Sequence, residues 1–459
     1  MSPAVPIGRV ARTWWPLAAS WLFMSAELPA IVAVVARLPD AEVNLAAFGG
    51  VVFPLALIVE SPVIMLLAAS TALCQDWEAY RRMYRWMMWA GAVLTALHLA
   101  VAVTPLYDLV VRGLIGAPDA IVGPARLGLV LMTPWTWAIA YRRFHQGVLI
   151  RFGRSRTVGV GTAVRLAVDA VLLAGGYAWG GVQGAAVGAA AISAGVVAEA
   201  LYVRQAVRPV LAGPLKDRPR LAAPLTARGF LKFYVPLVLT SFLTLVAQPI
   251  GSAAISRMPQ AVASLAAWPA ISGLLFILRS GGIAFNEVVV ALLDEPGSTR
   301  PLRRFTAVLA AGGTALTLLL AATPLAGVWF RGVAGLSPEL AELALRGLPL
   351  IWPLAALSVL QSWFQGVLLH ARRTRGVTEA VAVYLAVSTG VLAAGARMQR
   401  PGGPFDGGEV PGVIVALVAL AAAALAQTAW LGWRSAPARR AVNARDAESG
   451  VSNRPAQTS

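Results

Sequence analysis

The sequence contains a single cysteine, Cys74, and only three histidines in 459 residues. One cysteine cannot form a disulfide within the chain or hold a cysteine-based metal cluster. His98, His145 and His370 are too scattered to indicate a metal site. We find no phosphate-binding glycine loop and no nucleophile motif, so the sequence predicts neither an enzyme nor a cofactor. Any transport would draw its energy from ion gradients or from the cargo.

Charged residues are also scarce, at 13% of the chain, whereas 58% of the residues are hydrophobic. A soluble protein of this length does not need so much apolar surface, so the composition indicates a protein embedded in lipid. Backbone groups in lipid must be hydrogen-bonded within the protein, and the long unbroken apolar runs exclude barrel strands. The first run, from Trp14, is too long for a signal peptide and is predicted to be the first span.

The apolar runs, of about 20 residues or more, are long enough to cross about 30 Å of hydrocarbon as helices. They predict an all-α integral membrane protein with twelve transmembrane helices, near 14–36, 45–70, 86–107, 127–149, 157–179, 182–203, 231–256, 262–290, 305–329, 347–369, 377–396 and 411–433. The predicted domains are an N-terminal six-helix lobe (1–203), a basic cytoplasmic linker (204–230), a C-terminal six-helix lobe (231–433) and a disordered polar tail (434–459). Residues 401–404, rich in glycine and proline, are predicted to form an outer loop.

The net charge of +17 would suggest nucleic acid binding in a soluble protein. Here the distribution of the basic residues across the membrane explains it better, so no nucleic acid partner is predicted. With the N-terminus in the cytoplasm, the cytoplasmic segments contain 26 Lys and Arg and the outer segments contain 8. This difference follows the positive-inside rule. It predicts a multi-pass protein of the cell membrane with both termini in the cytoplasm.

Two blocks of the sequence recur in its second half. Over 23 aligned positions, 12 residues recur at a constant offset of 219, and 8 of 20 recur in a second block at an offset of 220. The repeated residues include Gln146, Gly147, Pro29 and Arg37, which recur as Gln365, Gly366, Pro249 and Arg257. The chain is therefore predicted to be two parallel six-helix repeats related by a pseudo-two-fold axis along the membrane normal. The Gln-Gly pairs are interpreted as architectural, with glycine permitting close helix approach.

The segment in which span 4 turns into span 5 reads Gln-Gly-x-Leu followed by Arg-x-Arg, over 146–156 and again over 365–375. Both copies resemble a segment typical of the multidrug/oligosaccharidyl-lipid/polysaccharide (MOP) exporter superfamily, and the resemblance covers about residues 12–435. It implies a MATE-like fold of two six-helix bundles. The major facilitator superfamily is the fold-level alternative. Its glycine-containing loop between spans 2 and 3 has no counterpart here, since residues 74–82 contain no glycine.

The first span resembles that of the progressive-ankylosis-type branch of this superfamily. The similarity lies in Trp15-Pro16-Leu17, in an intramembrane acid at Glu27, and in the segment 45–49. It implies export of small anions such as pyrophosphate or citrate. Many lipid-linked oligosaccharide flippases have similar sequences, so the branch stays open.

Glu27 lies near the middle of span 1, two residues before Pro29. Proline leaves a carbonyl unbonded and bends a helix. An acid beside such a bend is suited to coupling transport to H⁺ or Na⁺, and the alternative is a buried Glu that serves assembly. The repeat partner of Glu27 is Ala247, so the predicted coupling is asymmetric.

Glu60 and Arg279 occupy corresponding positions in spans 2 and 8. Positions near a pseudo-two-fold axis come close together, so these residues are predicted to form an ion pair between the lobes that opens and closes during transport. The alternative is that each reaches a headgroup region separately.

Arg165 and Asp169 are four residues apart, which places them on one helix face. An internal ion pair is the preferred interpretation, and an anion-binding Arg165 is the alternative. Arg142 and Arg143 are predicted to extend to the cytoplasmic headgroups, or alternatively to contact an anionic or phosphate-bearing cargo. Glu199 and Glu287, near the inner ends of spans 6 and 8, are predicted to meet basic loop residues at the interface and to have little role in function.

Together these features predict a secondary active transporter that works as a monomer by alternating access. Its cargo would lie between spans 1, 2, 7 and 8, in contact with membrane lipids, and the coupling ion would be H⁺ or Na⁺. A lipid-linked oligosaccharide or polysaccharide flippase, a multidrug cation antiporter, and a non-transporting scaffold or scramblase are the alternatives. The sequence does not identify the cargo, which is either a small molecule or a lipid-linked one.

Overall fold

The structure is a computed structural model, and it describes residues 5–220, 225–295, 297–399 and 410–448. Throughout these residues the secondary structure is helical. The helices of the first half are α1 (Ile7–Ser25), α2 (Glu27–Val35), α3 (Ala41–Ala47), α4 (Phe53–Ile64), α5 (Leu66–Leu73), α6 (Trp77–Val103), α7 (Leu106–Asp108), α8 (Asp119–Arg151), α9 (Ser155–Trp179) and α10 (Gly184–Ala212).

The helices of the second half are α11 (Ala227–Leu245), α12 (Ala247–Ile255), α13 (Ala261–Leu292), α14 (Thr299–Ala322), α15 (Leu325–Gly327), α16 (Pro338–Gly347), α17 (Trp352–His370), α18 (Arg375–Met398) and α19 (Gly412–Glu448). Short π-helical segments cover Phe48–Val52, Leu109–Ile115 and Val328–Val333, and a 3-10 turn covers Leu348–Leu350. We refer to α1–α10 as the N-terminal lobe and to α11–α19 as the C-terminal lobe.

Ten helical stretches in the described residues are long and apolar enough to cross a membrane. An eleventh is obtained if Pro338–Leu350 and Trp352–His370, which meet at 51°, are one bent span. The 33-residue helix α8 lies where the fourth span is predicted but is not among them. It contains Arg126, Arg142 and Arg143, which lower its hydropathy. The all-helical membrane fold is therefore established, and the count of twelve spans stays a prediction.

The first span of each lobe is interrupted at the same place. Helix α1 ends at Ser25 and α2 begins at Glu27, while α11 ends at Leu245 and α12 begins at Ala247. A proline follows each break at the same distance, Pro29 in one lobe and Pro249 in the other. Proline has no N–H to continue the helical hydrogen bonds, which accounts for the interruption. The helix is therefore interrupted beside Glu27, where the sequence predicts a bend.

The first part of each interrupted span packs mainly on the opposite lobe and the second part mainly within its own lobe, with α2 in contact with α13 as well. Helix α1 packs on α13 and α14 of the C-terminal lobe, where the indole Nε1 of Trp14 donates to the Gly281 carbonyl at 2.8 Å. Helix α2 also packs on α9 and α10 of its own lobe. In the same way α11 packs on α4, and α12 packs on α18 and α19. In each lobe the first part of the first span therefore packs on the opposite lobe.

Glycines allow the closest helix crossings. A Cβ added to Gly147 would strike Ser70 on α5, and one added to Gly366 would lie 2.7 Å from Cβ of Val289 on α13. The glycine of each Gln-Gly pair therefore lies at a close helix crossing. Between the lobes, Gly49 packs directly against the ring of Pro269.

The domain boundaries differ from the predicted ones. Helix α10 continues to Ala212 and α11 begins at Ala227, so the segment between the lobes is shorter than the predicted linker 204–230. Helix α19 runs to Glu448, so residues 434–448 are helical and not disordered as predicted. Arg445 and Asp446 attach this helix to the Leu293 carbonyl and the Thr299 N–H, a contact that a composition argument does not reveal. The predicted loop 401–404 lies outside the described residues.

Two arginines join the lobes at the end of the bundle where α2 ends and α3 begins. The guanidinium of Arg37 donates to the carbonyls of Gly332 at 2.5 Å and Val333 at 3.2 Å. Arg257, its repeat partner, donates to the carbonyls of Ile115 at 2.7 Å and Leu114 at 2.8 Å. Both sets of carbonyls end a π-helical segment of the opposite lobe, where carbonyl dipoles attract cations. We call these two contacts the arginine clamp, and the end of the bundle that carries them the clamp face.

Two glycines make room for the clamp. Gly116 and Gly335 follow the π-helical segments with φ of 71° and 70°, a left-handed conformation that glycine adopts without strain. A Cβ on Gly116 would lie 3.1 Å from Cζ of Arg257, and one on Gly335 would lie 2.7 Å from Cζ of Arg37. Both the backbone conformation and the space therefore require glycine at these positions.

Candidate functional site

A cluster of charged side chains lies inside the N-terminal lobe. Its members come from α2, α4, α8, α9 and α10 and are largely shielded from solvent: Glu27, Glu60, Arg142, Arg143, Arg165, Asp169 and Glu199. Four are acidic and three are basic. We call this set the N-lobe charge cluster. Charged groups at this depth cost several kcal/mol each unless they are paired or serve a function.

Glu199 on α10 is the centre of the cluster and is fully buried. One carboxylate oxygen accepts a short hydrogen bond from Arg142 and lies 3.8 Å from Nε of Arg165, and the other accepts from Nε2 of Gln146 at 2.8 Å. The prediction that Glu199 meets basic loop residues is therefore wrong. The prediction that Arg142 extends to the headgroups is also wrong, because a buried carboxylate offers it a stronger partner than water at the interface.

Arg165 on α9 connects Glu199 to Glu27. Its Nη2 lies 3.2 Å from the Glu27 carboxylate, at the first residue after the break in span 1. Asp169, one turn along α9, has its carboxyl near that of Glu27. Neither Asp169 oxygen is hydrogen-bonded to Arg165. The predicted internal pair of Arg165 and Asp169 is therefore wrong, since acids on α2 and α10 take the guanidinium instead.

Glu60 on α4 is buried and faces the same cluster, with Arg143, Arg142 and Arg165 as its charged neighbours. Arg279 on α13 lies in the other lobe beside Tyr384 of α18. No ion pair joins Glu60 and Arg279 in the part of the chain that the structure describes. The predicted pair between the lobes is therefore not formed, because each side chain turns into its own lobe.

Gly195 on α10 provides the space for this arrangement. A Cβ at Gly195 would strike the carboxylate of Asp169 and would lie 3.0 Å from Cγ of Arg165. Gly161 on α9 faces the other side of the cluster, and a Cβ there would lie 3.3 Å from Cγ of Glu199. Small residues on α9 and α10 thus let the two helices enclose a network of charged groups.

The C-terminal lobe has a different polarity at the repeat-related positions. Ala247, Ser362, Tyr384 and Ser388 stand where the N-terminal lobe has Glu27, Arg143, Arg165 and Asp169. Gln361, the counterpart of Arg142, donates to the hydroxyl of Thr428 at 3.0 Å and to the Ala424 carbonyl at 3.2 Å. Only at Arg279, opposite Glu60, does the C-terminal lobe keep a charge, and its sign is reversed.

Sequence reasoning identified most members of the cluster but missed their pairing. It treated Glu199 as an interfacial residue because that residue lies near the end of the predicted span 6. The signal that was available is the flanking sequence, which contains no charged residue for more than ten residues before Glu199. In the described residues, no group of three or more His, Cys, Asp or Glu is placed to hold a metal ion.

No protein-family model matches the sequence, and no curated protein matches it. Solved structures match over nearly the whole chain. A multidrug resistance MATE family transporter of the MOP superfamily in an inward-facing conformation superimposes with a TM-score of 0.65 at 12% identity. The match covers 94% of this chain and 99% of that one.

An outward-facing multidrug resistance MATE family transporter of the same superfamily matches with a TM-score of 0.59 at 13% identity, over 94% of this chain and 96% of that one. The lipid II flippase MurJ, in an inward closed conformation, matches with a TM-score of 0.60 at 10% identity, over 94% and 91%. At such identities the matches establish the fold and not the cargo. The chain has the MATE-like fold of the MOP exporter superfamily.

Proposed function

We propose that this protein is a secondary active transporter of the MOP type that works by alternating access and is coupled to an ion, H⁺ or Na⁺, through Glu27. The observation that carries the proposal is the position of Glu27. It is the first residue after the break in span 1, it contacts Arg165, and its carboxyl lies near that of Asp169. Two carboxylates side by side in a low-dielectric site repel each other, which favours a shared proton or a bound cation.

The break in span 1 links this site to the lobe interface. Helix α1 packs on the C-terminal lobe and α2 packs mainly within its own, so Glu27 lies where the span passes from one lobe to the other. A proton or cation shared by Glu27 and Asp169 would weaken the attraction between Glu27 and Arg165, and Glu199 would remain beside the guanidinium. Loss of the proton strengthens the attraction between Glu27 and Arg165. The angle between α1 and α2 would respond to this change, and with it the packing of the lobes.

The arginine clamp supports alternating access. It closes one end of the space between the lobes, and the two arginines that form it come from corresponding loops. The TM-score is higher with an inward-facing MATE transporter than with an outward-facing one, which supports an inward-facing state. An inward-facing state is closed at its outer face, and the closed end here is the clamp face. The clamp face is then the outer face, with both termini in the cytoplasm, as the loop charges predict. We propose twelve spans in two repeats, acting as a monomer.

For the cargo we propose small anions of the pyrophosphate or citrate type. This proposal rests on the resemblance of the first span to that of anion exporters. A lipid-linked oligosaccharide flippase is the second candidate, favoured by the likeness to MurJ. Arg142 is bonded to Glu199, so Arg143 is the member of that pair left to meet a phosphate-bearing cargo at the N-terminal lobe.

The test is flux in reconstituted vesicles under imposed pH or Na⁺ gradients, comparing wild type with Glu27→Gln and Asp169→Asn. Pyrophosphate, citrate, a lipophilic cation and a fluorescent lipid-linked saccharide are supplied in turn. We expect the wild type to carry one class in a gradient-dependent way and Glu27→Gln to lose the gradient dependence.

Glu342→Gln is the matched control, because Glu342 is an exposed acid paired only with Arg346 on α16. Its flux should equal that of the wild type. Equal gradient dependence in wild type and Glu27→Gln would remove Glu27 from coupling, and no flux of any cargo would favour a scaffold or scramblase.

A further inference from the structure

Arg279 lies in the interior of the C-terminal lobe, and no acidic residue of the described part of the chain forms an ion pair with it. It lies 13 residues before the end of α13, about 20 Å at 1.5 Å per residue, so it is too deep to reach a headgroup region. Its Nε is buried and donates to no acceptor in the part of the chain that the structure describes. Within the described ranges, the ionisable group beside it is the hydroxyl of Tyr384 on α18. A charge at this depth costs several kcal/mol when it is unpaired, so its retention calls for a counter-charge from elsewhere.

The surroundings of Arg279 are rich in hydrogen-bond donors. Tyr384 lies on α18 beside it, and Ser388 is four residues further along α18, on the same helix face. Both positions carry charges in the N-terminal lobe, where Arg165 and Asp169 correspond to them. The acid nearest to Arg279 along α13 is Glu287, eight residues away, or about 12 Å along the helix axis. The guanidinium of Arg279 therefore has the Tyr384 hydroxyl beside it, Ser388 lies one turn further along the same helix, and no ion pair in the described residues neutralises the arginine.

We propose that Arg279, Tyr384 and Ser388 form an anion-binding site in the C-terminal lobe that takes an oxyanion, the phosphate or carboxylate group of the cargo. Guanidinium groups bind such oxyanions in a two-pronged geometry, and hydroxyls supply further donors. This inference rests on the proposed function, since the ligand would be the transported anion. It assigns ion coupling to one lobe and recognition of the anion to the other.

The first test needs no ligand. If Arg279 only supported the fold, Arg279→Gln would lower the unfolding temperature of the purified protein. If its charge is kept for a ligand, the variant without ligand should unfold at the same or a higher temperature than wild type, because an unpaired buried charge is removed. A clear loss of thermal stability in Arg279→Gln, with Arg279→Lys near wild type, would assign the residue a structural role and overturn the proposal.

The second test measures binding to the purified, detergent-solubilised protein. Radiolabelled pyrophosphate and citrate are the soluble probes, and phosphatidylglycerol detected by native mass spectrometry is the lipid probe. We expect Arg279→Gln to weaken binding of one probe at least tenfold and Tyr384→Phe to weaken it several-fold. Arg300→Gln removes an exposed arginine from the start of α14 and should bind as wild type does.

Each outcome has a distinct meaning. Binding of the soluble probes that depends on Arg279 supports a free anion, and binding of the lipid probe alone supports a headgroup phosphate. Equal binding by wild type and Arg279→Gln, or an equal loss in Arg300→Gln, overturns the site. Because binding is measured without a gradient, failure of coupled transport would leave this result standing, so the two proposals fail separately.

Discussion

The two lobes share a backbone plan but differ in how they fill the same interior positions. The N-terminal lobe encloses seven charged side chains in a connected cluster, whereas the repeat-related positions of the C-terminal lobe contain neutral residues and Arg279. At the crossing of α8 with α10 an ion pair joins Arg142 to Glu199, and at the crossing of α17 with α19 a Gln–Thr hydrogen bond takes its place.

This difference shows that the charges of the N-lobe charge cluster are not needed to build the fold. A neutral hydrogen bond holds the same crossing in the other lobe, so the packing tolerates either solution. Buried ion pairs contribute little net stability compared with neutral residues of similar size. We infer that the N-lobe charge cluster is retained for function, whereas the positions alike in both lobes, such as Pro29 and Pro249, build the scaffold.

The largest effect is expected from breaking the buried ion pair. Arg142→Gln leaves Glu199 without its main partner and should destabilise the protein by about 3–5 kcal/mol, whereas Gln361→Ala in the C-terminal lobe should cost about 1 kcal/mol. The double variant Arg142→Gln with Glu199→Thr copies the neutral pair and should recover at least half of the loss. Unfolding of the detergent-solubilised protein measures all three. Similar losses of stability in Arg142→Gln and Gln361→Ala would show that the buried ion pair is no more important for stability than the neutral hydrogen bond.

A smaller effect is expected from filling the space at Gly195. In Gly195→Ala the added methyl must displace the carboxylate of Asp169, and overpacking of this kind costs about 1–3 kcal/mol. Combining Gly195→Ala with Asp169→Ser should relieve the clash, because serine is smaller and is the residue at the corresponding position of the C-terminal lobe, Ser388. Gly175→Ala on α9 is the control, because nothing lies within 4 Å of its added carbon, so helix propensity should make it neutral or stabilising by up to about 1 kcal/mol. A stability of Gly195→Ala equal to that of the control would contradict the packing described for the cluster.

The smallest effect is expected where the lobes are alike. Arg37→Ala and Arg257→Ala each remove hydrogen bonds that an exposed side chain donates to the other lobe. Each substitution should weaken the contact between the lobes by about 1 kcal/mol. Each should shift the population toward opening at the clamp face roughly fivefold, and the double variant more. Distances between spin labels on the two lobes at the clamp face measure the shift. Because the clamp is symmetric, very unequal effects of the two single variants would show that the lobes differ there as well.

The features that depend on local backbone chemistry were predictable from the sequence. Pro29 predicted the break in span 1, and the glycine of each Gln-Gly pair predicted a close helix crossing. The apolar runs predicted the helices and their order. The MATE-like fold followed from these runs together with the repeated segment, and the solved structures agree with it.

The pairing of the charged residues was not predictable from spacing alone. Arg165 and Asp169 share a helix face, yet Arg165 turns to Glu27 and Glu199, which lie on other helices. A rule based on separation along one helix cannot rank partners brought in by tertiary packing. The same limit applies to Glu60 and Arg279, since corresponding positions of a sequence repeat need not have side chains that face each other.

The exchange of α1 and α11 between the lobes has a consequence for how such a chain could arise. The apolar side of α1 that packs on α13 and α14 would be uncovered in an isolated N-terminal lobe, and the same holds for α11. A single six-helix ancestor could therefore cover this surface only as a dimer in which each subunit lent its first helix to the other. Fusion of two such subunits into one chain would have kept the exchange of helices. The interior positions of the two copies could then diverge, so that one copy acquired charged residues and the other stayed neutral.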